Sequence, residues 1–244
     1  MNGAPCLLFP FHFSLFTFHV LLMRRGILFD FNGVLVDDET QHCEALTAAL
    51  AEYDIPLDRE TYYREYLGFD DRECFRFSFA RHGRPADSQA LAAAIERKAA
   101  HYGAAIRRSM TLVPGARDFV RAAADEGLAL AVVSGALRRE IDLVLETAEL
   151  RPHFPVVIAA EDVCACKPDP QGFTRAREAL GLAPEHCVVV EDSLPGLVAA
   201  HAAGMRCAVL TTSHPAALLG AADAVWPDLV GRRPADLPWA HVSA

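Results

Sequence analysis

The sequence predicts an α/β fold in which a parallel sheet carries an inserted all-helical domain. Short apolar runs alternate with segments of helical periodicity, which is typical of parallel strands joined by right-handed crossovers. Charged and hydroxyl side chains follow several of these apolar runs directly. The stretch between the first two runs is far longer than one crossover helix requires, and it shows only helical patterns.

Four apolar runs predict buried parallel strands, and a fifth is similar. These strands span Gly26–Phe31, Ala129–Ser134, Val156–Ala159, Cys187–Glu191 and Arg206–Leu210. Helical periodicity occurs at Pro114–Glu126, Arg138–Leu150, Gln171–Leu180 and Pro195–Ala203. Gly181 and Gly204 follow the last two helices, as is common at helix ends. The alternation predicts a Rossmann-like core.

Residues 38–108 are predicted to form a helical cap domain. Helical patterns occupy Glu39–Tyr53, Arg59–Leu67, Asp71–His82 and Asp87–Tyr102. Because the segment follows the first strand, we expect it above the carboxyl end of the sheet, where ligands bind in open α/β folds. The core then comprises residues 24–37 and 109–230. The Pro-rich tail, residues 231–244, is expected to pack loosely.

Residues 1–23 form an apolar extension that we expect to lie outside the fold, with Met23 as a natural start. A membrane anchor is the alternative, because about 20 apolar residues can span a bilayer. Against an anchor, no basic residue precedes the run, and Pro10, His12 and His19 interrupt it. The run also ends directly before the first strand. We therefore expect a cytoplasmic protein without membrane association.

The composition favours a globular protein that does not bind nucleic acid. Hydrophobic residues make up 52% of the chain and the formal net charge is -9, whereas nucleic-acid-binding surfaces are normally basic. The seven cysteines include no CxxC pair, so neither a zinc site nor a disulfide framework is indicated. We expect a monomer or a homodimer.

The first strand ends in the segment ILFDFNGVLVD, which places Asp30 after apolar residues. A charge at that position is costly to bury unless it is paired or bound to metal. Gly33 allows the backbone to turn tightly. A carboxylate at a strand end above a glycine turn suits nucleophilic attack or metal binding, and helix capping is the alternative.

Other polar groups follow the later strands. Ser134 and Gly135 offer a hydroxyl and backbone N–H groups suited to phosphate oxygens. Lys167, one of two lysines in the chain, offers a compact cation for a phosphoryl group. Glu191 and Asp192 place two acids at the tip of the fourth strand. With Asp30, they are predicted to form a Mg²⁺ site, since Mg²⁺ prefers oxygen ligands.

These four motifs, in this order, together with the segment VVVEDSLPGLVAAHAAGM, resemble the haloacid dehalogenase superfamily over about residues 24–226. Within it, the chain is similar to the helical-capped branch that includes β-phosphoglucomutase and sugar-phosphate phosphatases. The resemblance implies that Asp30 attacks phosphorus. It also implies that Asp30, Asp192 and the Asn32 carbonyl bind Mg²⁺, with Glu191 binding directly or through water. Ser134 and Lys167 would hold the phosphoryl oxygens.

Asn32 departs from the family pattern, which usually has an acid–base Asp two residues after the nucleophile. An amide cannot donate or accept a proton in that role at neutral pH. One explanation is a substrate whose leaving group needs little protonation. Alternatively, His42, Asp37 or a cap residue supplies the proton, or the chain binds phosphate with little turnover.

The cap supplies three further candidates for contact with the substrate. His42 occupies a position where the mutase branch also carries a histidine, although a solvent-facing cap residue is an equal alternative. Asp71 and Arg72 belong to a segment that resembles the family's cap loop. Arg72 would clamp a second phosphate or a carboxylate, or else pair with a neighbour on its helix.

The leading functional hypothesis is Mg²⁺-dependent hydrolysis of a small phosphate monoester, which would be a phosphorylated metabolite such as a sugar phosphate. A phosphosugar mutase is the second hypothesis. The third is a catalytically weak module that binds phosphate or a partner, because Asn32 replaces the usual acid–base residue.

Overall fold

The computed structural model describes residues 24–66 and 69–240, so the apolar extension at 1–23 lies outside the described residues. Six parallel strands form one sheet in the order β3-β2-β1-β4-β5-β6. They are β1 (Gly26–Phe29), β2 (Ala129–Val133), β3 (Val156–Ile158), β4 (Cys187–Glu191), β5 (Arg206–Leu210) and β6 (Ala224–Trp226). The predicted α/β fold class is confirmed. The sixth strand was not predicted.

Eight α-helices accompany the sheet in the described part of the chain. They are α1 (Glu39–Ala51), α2 (Arg59–Glu65), α3 (Asp71–Arg81), α4 (Ser88–Arg108), α5 (Ala116–Asp125), α6 (Arg138–Thr147), α7 (Gln171–Leu180) and α8 (Leu194–Ala202). All eight coincide with predicted helices, although α4 continues beyond its predicted end at Tyr102. Asp87 caps the amino end of α4, because its side chain accepts a hydrogen bond from the Ala90 N–H at 2.8 Å.

The sheet is covered by helices on both faces, as expected of strands that are buried on both sides. On one face, Ile27 and Phe29 of β1 share a buried cluster with Phe119 of α5 and Ile141 of α6. On the other face, the intervening Leu28 belongs to a cluster with residues of α7 and α8, including Phe173 and Leu197. This alternation fixes the orientation of β1 at the centre of the sheet.

The helices inserted between β1 and β2 have a hydrophobic cluster of their own. It includes Leu46 and Leu50 of α1, Phe75 and Phe79 of α3, and Leu91 of α4. The chain leaves and re-enters the core through two adjacent segments. There the Asp37 N–H donates to the Thr111 carbonyl at 2.9 Å, and an antiparallel bridge joins Val36 to Leu112.

The Pro-rich tail packs closely against the core over its described residues, so the expectation of loose packing is wrong there. Leu237 is 4% exposed and belongs to the cluster that contains Phe29. The Trp239 indole N–H donates to the Pro234 carbonyl at 2.8 Å, and its ring lies 5.0 Å from the Arg25 guanidinium. The packing of Leu237 and Trp239 against the core therefore holds the tail in place, although its described residues form no α-helix or strand.

No helix within the described ranges has both the length and the apolar character needed to cross a membrane.

Candidate active site

The carboxyl ends of the central strands bring four of the predicted residues into one cluster. Asp30 directly follows β1, and its backbone N–H donates to the Val190 carbonyl of β4 at 2.9 Å. This bond keeps the backbone of Asp30 beside the end of β4, where Glu191 and Asp192 lie. Lys167, which follows β3 through a loop, reaches the same point. We therefore define the acidic cluster as Asp30, Glu191 and Asp192.

Lys167 is the cation of this cluster. Its Nζ donates to Asp30 Oδ1, to Glu191 Oε1 at 2.6 Å and to the Val133 carbonyl at the end of β2 at 3.1 Å. Burial lowers the pKa of Lys167, but the carboxylates of Asp30 and Glu191 outweigh burial and hold that pKa above its usual range. Lys167 is therefore a fixed ammonium group next to the predicted nucleophile.

The Glu191 carboxylate is fully buried and its two oxygens have separate partners. Oε1 binds Lys167, whereas Oε2 accepts from the Asp192 N–H at 2.8 Å and from the N–H and hydroxyl of Ser193 at 2.9 Å. Gly196 in the first turn of α8 lies against this carboxylate, and a Cβ there would overlap it. The amino end of α8 thus holds Glu191 in place through backbone donors.

Asp192 is held by two hydroxyl groups that sequence reasoning missed. Its Oδ2 accepts from the Ser213 hydroxyl, and Thr212 Oγ1 lies 3.3 Å from the same oxygen. Thr212 also donates to the Gly33 carbonyl at 2.7 Å, which joins the loop after β1 to the loop after β5. A Cβ at Gly33, whose φ is +74°, would overlap Asp192. The signal for both hydroxyls was their place two and three residues after the predicted fifth strand.

The acidic cluster has the donor set of a site for a hard divalent cation. Asp30, Glu191 and Asp192 are all buried, and one carboxylate oxygen from each lies within 4.8 Å of the others. Lys167 balances one of these three negative charges when all are ionised. A small dication with oxygen ligands, of which Mg²⁺ is the commonest in phosphate sites, matches both the charge and the chemistry.

Without a cation, the pKa values of Asp30 and Asp192 are raised, which favours the protonated forms of these two acids. Burial raises the pKa of Asp30 to about 7, with Lys167 opposing the shift and Glu191 adding to it. Burial, together with the charges of Glu191 and Asp30, also raises the pKa of Asp192 well above its usual range. These shifts follow from placing like charges together in a region with little access to water.

Ser134 and Gly135 follow β2 next to the carbonyl that binds Lys167. The Ser134 side chain is largely buried, and its Oγ accepts from the Ala136 N–H at 3.0 Å. A Cβ added to Gly135 would meet nothing within 4 Å, so space is open beside this residue. Their predicted contacts with phosphoryl oxygens remain predictions.

The side chain of Asn32 points into a second polar group rather than toward Lys167. Its Nδ2 lies 3.0 Å from Asp38 Oδ1, 2.9 Å from Asp38 Oδ2 and 3.1 Å from His42 Nε2. Asp38 is 1% exposed and also accepts from the Tyr102 hydroxyl of α4. Burial acts to raise the pKa of Asp38, but His42, Tyr102 and Asn32 together hold it below its usual range. Asp38 and Tyr102 were not among the predicted site residues.

Lys98 of α4 extends this second group toward the core. Its Nζ lies 2.7 Å from His42 Nδ1, 2.8 Å from Asp71 Oδ1 and 3.6 Å from Glu140 Oε1 of α6. Lys98 is 1% exposed, so the inserted helices and the core share a buried cation. Asp71 therefore has a structural partner in addition to its predicted role at the substrate.

Arg72 is exposed on the inserted helix α3, and no ion pair to it occurs among the described residues. The start of α3 does approach the loop that carries Lys167. The Cys166 thiol, next to Lys167 in the sequence, lies 3.8 Å from Asp70 Oδ2, two residues before Arg72. Contact between Arg72 and a substrate remains a prediction.

The known proteins to which this chain is similar include phosphatases. Validoxylamine A 7'-phosphate phosphatase from Streptomyces hygroscopicus subsp. limoneus is 30% identical over 226 residues, covering 90% of this chain and 99% of the relative. Hexitol phosphatase B from Escherichia coli K12 is 28% identical over 183 residues, covering 75% and 82%. The crystal structure of CbbY from Rhodobacter sphaeroides in complex with phosphate has a TM-score of 0.79 and 28% identity, covering 87% of this chain and 98% of that one.

A family model described as haloacid dehalogenase-like hydrolase matches residues 27–210, from within β1 to the end of β5. This match contains the acidic cluster, Lys167 and the inserted helices. It agrees with the resemblance noted from the four strand-end motifs. The chain therefore belongs to the haloacid dehalogenase-like hydrolases.

Proposed function

We propose that this hydrolase is a Mg²⁺-dependent phosphatase that hydrolyses a small phosphate monoester through an aspartyl-phosphate on Asp30. The observation that carries the proposal is the position of Asp30 between a fixed cation, Lys167, and the two other carboxylates of the acidic cluster. A phosphoryl group that approaches Asp30 meets an ammonium group whose charge would offset that of its oxygens.

The metal ligands that we propose are the carboxylates of Asp30 and Asp192 and the backbone carbonyl of Asn32. Both oxygens of Glu191 already have protein partners, which favours a contact through water for this residue. A bound Mg²⁺ would supply positive charge for the phosphoryl oxygens and for the ionised form of Asp30.

The reaction then has two displacements at phosphorus. An oxygen of Asp30 forms a bond to phosphorus while the bond to the ester oxygen of the monoanionic substrate breaks. The proton of that phosphate monoanion passes to the departing oxygen, so that the alcohol leaves. Water next forms a bond to phosphorus while the bond to Asp30 breaks, which regenerates the carboxylate. Lys167 stays bound to Glu191 and the Val133 carbonyl in both steps. Its ammonium group offsets negative charge on the phosphoryl group that is transferred.

The proposed substrate class is the phosphate esters of sugars and polyols. Two phosphatase relatives, one named for validoxylamine A 7'-phosphate and one for hexitols, support this choice, because each covers most of its own length in the comparison. A phosphorylated metabolite of this kind would bind with its phosphate at the acidic cluster and the rest of the molecule toward the inserted helices. Arg72 and His42 are the cap residues that we propose contact it.

Phosphate release from a panel of sugar, polyol and aryl phosphates, with Mg²⁺ or with EDTA, tests this function. We expect turnover that requires Mg²⁺ and that falls by about 10³-fold or more in Asp30→Asn, because no other group replaces the nucleophile. Asp125→Asn is the matched control. Asp125 is exposed at the end of α5 and precedes the amino end of β2, whereas the acidic cluster lies at the carboxyl ends of the strands. A folded protein that binds Mg²⁺ without Asp30-dependent turnover would favour a phosphate-binding module instead.

A further inference from the structure

The orientation of the Asn32 amide is fixed by its neighbour Asp38. The amide nitrogen can only donate and a carboxylate can only accept. Both oxygens of Asp38 lie within 3.0 Å of Nδ2, so the reversed amide would place Oδ1 against two carboxylate oxygens. Asp38 therefore selects the orientation in which Oδ1 faces away from it.

The surroundings of Asp38 strengthen this selection. Lys98 lies 2.7 Å from His42 Nδ1, and an ammonium group can only donate, so Nδ1 accepts and the ring hydrogen is on Nε2. His42 Nε2 lies 3.3 Å from Asp38 Oδ2, and the Tyr102 hydroxyl donates to the same oxygen. The three groups that contact the Asp38 carboxylate, from Asn32, His42 and Tyr102, are thus all donors.

The opposite end of the amide is open. Asn32 is only partly buried, and among the described residues no hydrogen-bond donor reaches its Oδ1. Asn32 is two residues beyond Asp30 on the loop that follows β1. An acceptor oxygen without a donor among the described residues, two residues along the chain from the nucleophile, is suited to a water or hydroxyl group.

We propose that Asp38 is a positioning residue that turns the Asn32 amide so that Oδ1 orients the water attacking phosphorylated Asp30. This inference rests on the proposed function. Water adds to phosphorus, the bond to Asp30 breaks, and both water hydrogens remain on the released dihydrogen phosphate, so the step balances without a base. Asn32 accepts one hydrogen bond from that water and carries no proton. The site thus uses an amide held by a carboxylate where related enzymes carry a carboxylate.

Rapid-quench kinetics with p-nitrophenyl phosphate separate the two chemical steps. In Asp38→Asn the amide of Asn32 is no longer fixed, so we expect hydrolysis of the phosphoenzyme to slow about tenfold or more. Formation of the phosphoenzyme should change by less than about threefold, giving a burst of one p-nitrophenol per site. If Asp38→Asn does not fold, Asn32→Ala removes the same acceptor and carries the same expectation.

The exchanged pair N32D/D38N distinguishes positioning from a general structural role. In this double variant an amide at position 38 again donates to position 32, so hydrolysis should recover at least to the wild-type rate. Hydrolysis within about twofold of wild type in D38N, or no recovery in N32D/D38N, would overturn the proposal.

A measurement on the resting protein keeps the proposal testable if the wild type shows no turnover. The side-chain amide hydrogens of Asn32, followed by ¹⁵N NMR, should exchange with solvent about tenfold or more faster in D38N than in wild type. Asp125→Asn should leave their exchange unchanged. Equal exchange rates in wild type and D38N would refute the positioning role of Asp38 without bearing on the phosphatase function.

Discussion

Raising the pH without metal should destabilise this protein through the acidic cluster, contrary to the usual behaviour of a paired carboxylate. The pKa of Asp30 is about 7 in the folded chain and about 3.8 when it is exposed. Between these values the unfolded chain has lost the proton that the folded chain retains. Stability therefore falls as the pH rises through this window, and the full cost is present above pH 7.

The size of the effect follows from the separation of the two pKa values. Each unit corresponds to about 1.4 kcal/mol, so Asp30 alone should lower the free energy of unfolding by about 3 kcal/mol between pH 5 and pH 8. The pKa of Asp192 is also raised, which acts in the same direction. Carboxylates with lowered pKa values, such as Asp38 and Asp223, are ionised throughout this range and contribute little to the slope.

Urea denaturation at pH 5 and pH 8, in EDTA and in Mg²⁺, measures this dependence. Asp30→Asn isolates the contribution of Asp30, because burial likewise raises the pKa of Glu140, which titrates in both proteins. In EDTA the variant should be more stable than wild type at pH 8. Mg²⁺ at about 100 times its dissociation constant should stabilise wild type by about 2.7 kcal/mol. Equal pH slopes for wild type and Asp30→Asn in EDTA would refute the assignment of a raised pKa to Asp30.

Two further substitutions test the packing around the site and the tail. Gly196→Ala places a Cβ against the Glu191 carboxylate, so we expect weaker Mg²⁺ binding by calorimetry and at least about tenfold lower turnover. Gly220→Ala is its control, because a Cβ there meets nothing within 4 Å. Comparable loss of Mg²⁺ affinity in both variants would show that contact with Glu191 is not the cause. Leu237→Ala should lower the free energy of unfolding by about 2–5 kcal/mol in urea, since Leu237 is 4% exposed in the main core, and a loss below about 0.5 kcal/mol would show that the tail packs loosely.

The acidic cluster was predictable because each of its members ends a strand or directly follows one. Parallel strands end at one edge of a sheet, so sequence position alone places Asp30, Lys167, Glu191 and Asp192 near one another. Thr212 and Ser213 obey the same rule after β5. They were missed because adjacent hydroxyl residues are common in turns and carry no chemistry until a partner is known.

The group around Asp38 was not predictable by the same reasoning. It depends on how α1 and α4 pack side by side, which brings Tyr102 and Lys98 to Asp38 and His42 from far along the sequence. Helical periodicity identifies the buried face of each helix but does not select its neighbour or its register. The unexpected partner of Asn32 therefore came from tertiary structure alone.

The short edge strand β6 and the packed tail were missed for a different reason. Ala224–Trp226 has three residues, too few for a periodic pattern, and it pairs only at the edge of the sheet. In the tail, the prolines indicated irregular structure, which is correct locally. Irregular backbone does not prevent side chains such as Leu237 from reaching the core.

The central position of β1 also determines when the active site can assemble. β1 is the first strand in the described chain, yet its two neighbours, β2 and β4, arrive much later in the sequence. Contacts at such separation form slowly, whereas the helices of the insert depend mainly on local contacts. The hydroxyls that hold Asp192 come later still, after β5. Synthesis proceeds from the amino end, so Asp30 is made early. It meets Lys167, Glu191 and Asp192 only after the later strands have joined the sheet beside β1.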